Sequence, residues 1–158
     1  MDAFQSAALI RIKKELEQLY SNPPTGIKVW TKGDNLYELE AEITGPENSP
    51  YEGGRFLLLI QLPSRYPLEP PQVRFMTPVY HPNIDSSGRI CFDALNLPPK
   101  GAWRPCLNMS SLLVGIRLLL VEANPEDALM ADIAEEYRKN YSLFMKKAKE
   151  WTQQYLFH

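Results

Sequence analysis

Histidine and cysteine are scarce in this chain, with two of each among 158 residues. Cys91 and Cys106 stand fifteen positions apart, a separation that matches no metal or redox motif. A structural zinc site would need nearly every ligand available: His81, Cys91, Cys106 and the terminal His158. A disulfide between the two cysteines is open geometrically and disfavoured in a reducing compartment. Long apolar runs are missing as well; the best candidates, Phe56–Ile60 and Leu118–Val121, are core-sized and fall short of a membrane span. The start, Met1-Asp2-Ala3-Phe4-Gln5, lacks the basic residues and apolar block of a secretory signal. The expected location is therefore a reducing one, nucleus or cytoplasm. There is no basic excess: 17 Lys and Arg against 19 Asp and Glu leave a net charge of −2. That argues against nucleic acid as a direct partner, because a phosphate backbone selects a basic stripe. The basic residues do cluster locally at Arg11, Lys13 and Lys14, either as a docking surface or as a solvated helix face.

With 44% apolar and 23% charged residues the composition is that of a globular protein. The length fits a single domain over 1–158, and we expect a monomer. No internal repeat, linker or low-complexity tail is visible. Residues 3–20 read as a helix whose stripe is Leu9, Ile12, Leu16 and Leu19, stopped by Asn22-Pro23-Pro24. Residues 36–43 alternate strictly, with Tyr37, Leu39, Ala41 and Ile43 on one face and Glu38, Glu40 and Glu42 on the other. That is a half-buried antiparallel strand. Weaker strand patterns lie at 27–32, 55–62 and 72–75, and the short connections favour an antiparallel meander. Prolines then crowd the chain, and from Pro78 to Pro105 no regular element longer than a turn is expected. Helices follow at 110–122, 131–139 and 142–155. The first of these is so apolar that it should be buried; in the last, Phe144, Ala148, Trp151 and Tyr155 share a face. The order gives an α+β fold: one helix, a four-stranded antiparallel meander sheet, an irregular segment and three further helices.

A long irregular stretch inside a compact domain usually carries function. Here it holds His81-Pro82-Asn83-Ile84 and, ten residues after the histidine, Cys91. A thiol is nucleophilic without a dedicated base, being a few per cent thiolate near neutral pH. Cys91 therefore suits a reaction in which an activated acyl group is handed to it as a thioester and passed on to an amine. Alternatively it is a small buried hydrophobe. The Asn83 amide donates to a tetrahedral oxyanion, or satisfies backbone groups of its own turn, or both. His81 reads better as a hydrogen-bonded scaffold residue than as a base, although it belongs among the candidate site residues.

These motifs carry a resemblance. Tyr80-His81-Pro82-Asn83-Ile84 with Ile90-Cys91 resembles the active-site signature of ubiquitin-conjugating enzymes. So do Gly45-Pro46, Ser49-Pro50-Tyr51-Glu52-Gly53-Gly54, Tyr66-Pro67 with Pro70-Pro71, Asn124-Pro125-Glu126-Asp127 and Trp151-Thr152. They run in order over nearly the whole chain. The longer loop Leu97–Pro105, together with Leu129-Met130-Ala131-Asp132-Ile133, resembles the T-type branch of that family, which works in Fanconi anaemia DNA-crosslink repair.

The resemblance implies the characteristic fold of the family and a set of roles. Cys91 would carry the thioester, Asn83 would stabilise the oxyanion or hold the loop, Asp127 would orient or deprotonate the incoming lysine, and Asp93 would tune its attack. A carboxylate beside the thiol is suited to receive an ammonium and its proton, although Asp127 reads equally well as a helix N-cap after Asn124-Pro125. No metal or organic cofactor is implied, because the activating enzyme consumes ATP earlier. The implied partners are ubiquitin, the activating enzyme, a RING-type ligase and a substrate lysine. Activating enzyme and ligase would share Arg11, Lys14, Leu68, Arg104 and Pro105, and ubiquitin would lie along Val114 and Leu118. Retention of Cys91 separates the chain from silent binding variants of the fold; transfer of another ubiquitin-like modifier is the other alternative. Three departures stand out: Leu68 at the ligase-contact position, where an aromatic residue is frequent, and two that border the site, Phe92 where leucine usually follows the cysteine and Ala128 where proline usually follows the aspartate. The chain also ends at His158 without the polar tail of T-type enzymes.

Overall fold

A computed structural model describes residues 3–156. Helix α1 (Ala3–Ser21) is followed by strands β1 (Ile27–Thr31), β2 (Glu38–Thr44), β3 (Arg55–Gln61) and β4 (Gln72–Phe75). The strands pair in sequence order, each antiparallel to the next. The expected meander is therefore the observed sheet. Its register follows from the period-two pattern: Leu39 faces Ile60, Ala41 faces Leu58 and Ile43 faces Phe56, all essentially buried. The alternating glutamates of β2 lie on the opposite, half-buried face, where Glu42 pairs with Arg55 at 3.0 Å.

Helix α1 packs on this sheet through Ala8, Ile12, Leu16 and Leu19. Leu9, expected on that stripe, is only half-buried, and Ala8 takes its place one position earlier. The unexpected member is Glu15, a buried carboxylate on the same side of the helix.

Beyond β4 the chain is irregular to Asn108, as the prolines predict, yet it is densely hydrogen-bonded. Isolated bridges join His81 to Ile84 and Ile84 to Ile90, and a 3₁₀ turn covers Asp93–Leu95. Gly88 sits at φ +87°, and a Cβ there would run into the Phe75 carbonyl, so the turn before Cys91 admits glycine alone. Trp103 is the buried anchor of the long loop: its Nε1–H donates to the Pro67 carbonyl at 2.9 Å.

Helix α2 (Met109–Val121) opens on a capping box, with Asn108 accepting from the Ser111 amide and Ser111 accepting from the Asn108 amide. It is buried on one side only, through Met109, Leu112, Leu113, Ile116 and Leu120. Burial is therefore one-sided: Val114 and Leu118, the edge expected to face outward, and Val121 are about half exposed, at 47%, 53% and 47%. Helices α3 (Ala131–Lys139) and α4 (Tyr141–Gln154) complete the fold. In α4 the core face is Phe144, Ala148 and Thr152. Trp151 lies at the rim instead, its ring 5.4 Å from Tyr80 and 5.9 Å from Tyr155. His158, considered above as a zinc ligand, lies outside the described residues. Among the described residues no cluster of His, Cys, Asp and Glu is arranged to hold a metal ion.

Candidate active site

Cys91 is half-buried, and its thiol is free, as is that of the exposed Cys106. Its backbone N–H donates to the Asn83 carbonyl at 2.8 Å, which fixes the thiol beside the His81–Ile84 turn. Asn83 itself is fully buried, and its side chain is saturated. Nδ2 donates to the carbonyls of Asn124 and Asp127 at 2.8 and 3.1 Å, and Oδ1 accepts from the Asn124 amide at 2.8 Å. The Pro82 carbonyl adds two more links, accepting from the amides of Leu129 and Met130 at 3.0 and 3.1 Å. Residues 82–83 and 124–130 are thus bolted together across more than forty positions of sequence.

That junction delivers Asp127 to the thiol. Asp127 closes a 3₁₀ turn, Pro125–Asp127, and its carboxylate comes within hydrogen-bonding reach of Cys91. The N-cap reading is corrected, since α3 begins four residues later, after Met130. Asp93 is exposed at the start of its own 3₁₀ turn, close enough for its charge to act on the same thiol. The result is the opposite of thiolate activation. Burial, the hydrogen bond to Asp127, and the charges of Asp127 and Asp93 together push the Cys91 thiol above its ordinary range. The thiolate fraction at neutral pH falls below the few per cent expected for a free cysteine.

Both nitrogens of His81 are committed. Nδ1 accepts the Asn83 amide at 2.9 Å, so Nε2 carries the proton and donates to the Leu119 carbonyl at 2.7 Å. The residue is fully buried, and desolvation lowers its pKa to about 4. His81 is therefore removed from the candidate catalytic groups: it is a neutral strut between the Cys91 turn and α2. The linkage sign follows from a folded pKa below the unfolded one. Stability is complete above the unfolded value of about 6.5 and is lost as the pH falls toward 4. Urea unfolding at pH 7 and pH 5 should show a loss on the order of 2 kcal/mol attributable to this residue. A His81→Gln variant should lose that part of the pH slope.

Of the expected docking residues, Lys14, Leu68, Arg104 and Pro105 are exposed. Arg11 is not available in the same way. Its Nε–H donates to Glu15 at 2.7 Å, while its two terminal nitrogens donate to the carbonyls of Pro105 and Leu107 at 2.9 and 2.6 Å. The guanidinium also lies over the Tyr66 ring, 5.7 Å from its centroid. Arg11 thus clamps Glu15 to the loop 105–107 and keeps about a quarter of its side chain exposed. Val114 and Leu118 line a shallow apolar groove with Pro24, Ile27, Pro46 and Val121, of about 290 Å³.

The sequence model of ubiquitin-conjugating enzymes matches residues 11–152, nearly all of the chain. The chain belongs to the ubiquitin-conjugating enzyme family. It is 56% identical over 142 residues to "Ubiquitin-conjugating enzyme E2 T" of Danio rerio, covering 90% of this chain and 73% of that protein. It is 58% identical over 143 residues to the Mus musculus protein of the same name, covering 90% and 70%. Against the Homo sapiens protein the identity is 54% over 145 residues, covering 92% and 74%. As a ubiquitin-conjugating enzyme it is a ubiquitin transferase, and its family works with ubiquitin, an activating enzyme and ligases. Glu15 is the residue of this enzyme that the sequence reading passed over. A signal was present, because Glu15 interrupts the Ile12–Leu16–Leu19 stripe on the same helical face.

Proposed function

We propose that Cys91 is the acyl carrier of this enzyme and Asp127 the group that receives the substrate lysine. The observation that carries this reading is the junction that holds residue 127 beside the Cys91 turn: Asn83 Nδ2 donates to the Asp127 carbonyl, and the Cys91 amide donates to the Asn83 carbonyl. In the loading step Cys91 Sγ attacks the ubiquitin thioester of the activating enzyme. The new thioester forms on Cys91, the activating enzyme's thiol leaves, and the Cys91 proton passes to it or to solvent. In the transfer step a lysine ammonium is drawn toward Asp127 and Asp93 and gives one proton to the Asp127 carboxylate, which passes it to solvent; the neutral Nζ attacks the Cys91 thioester, and its second proton ends on the departing Cys91 sulfur. An isopeptide bond forms and the Cys91 thiol is regenerated. Asp93 shapes the field that selects an ammonium.

A RING-type ligase would dock on Lys14, Leu68, Arg104 and Pro105, while the carried ubiquitin would lie along Val114 and Leu118. We extend the reading to Fanconi-type monoubiquitination in the repair of DNA interstrand crosslinks, by a monomeric enzyme of nucleus and cytoplasm. The T-type resemblance of the loop Leu97–Pro105, anchored by the buried Trp103, supports this. In cells lacking the protein and treated with a crosslinking agent, damage-induced monoubiquitination should be lost. Re-expression should restore it, and the Cys91→Ala variant should not. Normal monoubiquitination without the protein would separate it from that pathway.

A further inference from the structure

We propose that Glu15 is a positioning residue that holds in register the two loops of the partner-docking surface. The proposal rests on the reading of Lys14, Leu68, Arg104 and Pro105 as that surface. Glu15 Oε2 accepts the Tyr66 O–H at 2.6 Å and the Arg11 Nε–H at 2.7 Å, and Oε1 accepts the Met109 amide at 2.8 Å. Through Tyr66 it holds the loop that carries Leu68. Through Arg11, which donates to Pro105 and Leu107, it holds the loop that carries Arg104 and Pro105. Through Met109 it takes up one of the amides left without a helical partner at the start of α2.

The side chain is buried, with both oxygens saturated, and two of its donors come from 51 and 94 positions away. A solvated helix charge would show none of this. The two loops also touch each other: Trp103 donates to the Pro67 carbonyl, and the Tyr66 and Trp103 rings lie 6.0 Å apart. None of Glu15's hydrogen-bond partners belongs to the Cys91–Asn83–Asp127 group. Glu15 therefore sets where partners meet the enzyme and leaves the chemistry at Cys91 alone. Burial and the neighbouring carboxylate keep the Tyr66 hydroxyl protonated, so it acts as a donor throughout the working pH range.

The test is the kinetics of ubiquitin transfer from charged ubiquitin-activating enzyme to this protein. Glu15→Gln retains an acceptor for the Met109 amide but turns an N–H toward Arg11, which releases the clamp on Pro105 and Leu107. The KM for this protein should rise about tenfold, while kcat at saturation stays within about twofold. Tyr66→Phe deletes one hydroxyl, keeps the ring against Trp103, and should raise KM about threefold. Arg11→Gln should raise KM as well, and the Glu15→Gln, Arg11→Gln double variant should be no worse than Glu15→Gln alone, because both break one link. An unchanged KM in folded Glu15→Gln overturns the proposal. So does a fall in kcat that simply tracks a lower melting temperature. If Glu15→Gln does not fold, Tyr66→Phe and Arg11→Gln decide, and an unchanged KM in both overturns it. Lys14→Ala and Leu68→Ala separate the two readings. If neither raises KM, the docking surface is misassigned; if they raise it and Glu15→Gln does not, only the role of Glu15 fails.

Discussion

With activating enzyme, ATP and ubiquitin, Cys91→Ala should form no thiol-labile ubiquitin adduct, and Cys91→Ser should form a slower adduct that survives reductant. The wild-type protein should run on a non-reducing gel with a band one ubiquitin heavier, which collapses when a thiol is added. The serine variant keeps the nucleophile's position, still tied through residue 91's amide to the Asn83 carbonyl. It replaces a polarisable sulfur with a hydroxyl that has no imidazole to activate it, since His81 is fully engaged. The oxyester that forms is stable to thiols and a poor donor to lysine. Cys106 supplies the internal control, being a second free and more exposed thiol. If a labile adduct persists in Cys91→Ala, Cys106 or another group carries ubiquitin and the assignment of Cys91 fails.

The second large effect concerns Asn83. Asn83→Ala removes two donated bonds and one accepted bond from a buried junction. Unfolding free energy should drop by about 2–4 kcal/mol, the range for leaving several buried backbone groups unpaired. Discharge of the charged enzyme onto free lysine should slow by about 10- to 100-fold, as Asp127 loses its place beside the thiol. Asp127→Asn should slow the same step through loss of the carboxylate. With both Asn83 Nδ2 hydrogens given to the carbonyls of Asn124 and Asp127, no donor remains for an oxyanion in this state. The double variant should therefore be little slower than the slower single one. Rates that multiply instead would assign Asn83 an independent action on the developing negative charge, and the structural account would fail.

The sheet was legible from its glutamates, because a period of two in 36–43 fixes both the strand and the face it buries. Strand β2 begins at Glu38, since Leu36 and Tyr37 belong to the turn that enters it. Helix α2 was legible only in part. An apolar sequence states what a face can do, and only the packing shows that Val114, Leu118 and Val121 stay about half exposed. Cys91 and Asn83 could be proposed from a single window. Their union with Asp127 could not be derived from spacing, because it is made by side-chain bonds across forty-one and forty-four positions. Arg11 was assigned to the surface because a basic residue on an amphipathic helix ordinarily faces water. Its redirection inward depends on Glu15, whose position on the apolar stripe was the one local clue.

The sealed imidazole has a further consequence for the lifetime of the charged enzyme. Cys91 is only half-buried, so an acyl thioester carried there would be reachable by solvent. Such a bond lasts longer where no imidazole is free to prepare water for attack. His81 offers no free lone pair, its two nitrogens being occupied by the Asn83 amide and the Leu119 carbonyl. The carboxylates of Asp127 and Asp93 suit an ammonium by their charge. On the proposed role of Cys91, the charged enzyme should hold its energy-rich bond until an amine arrives.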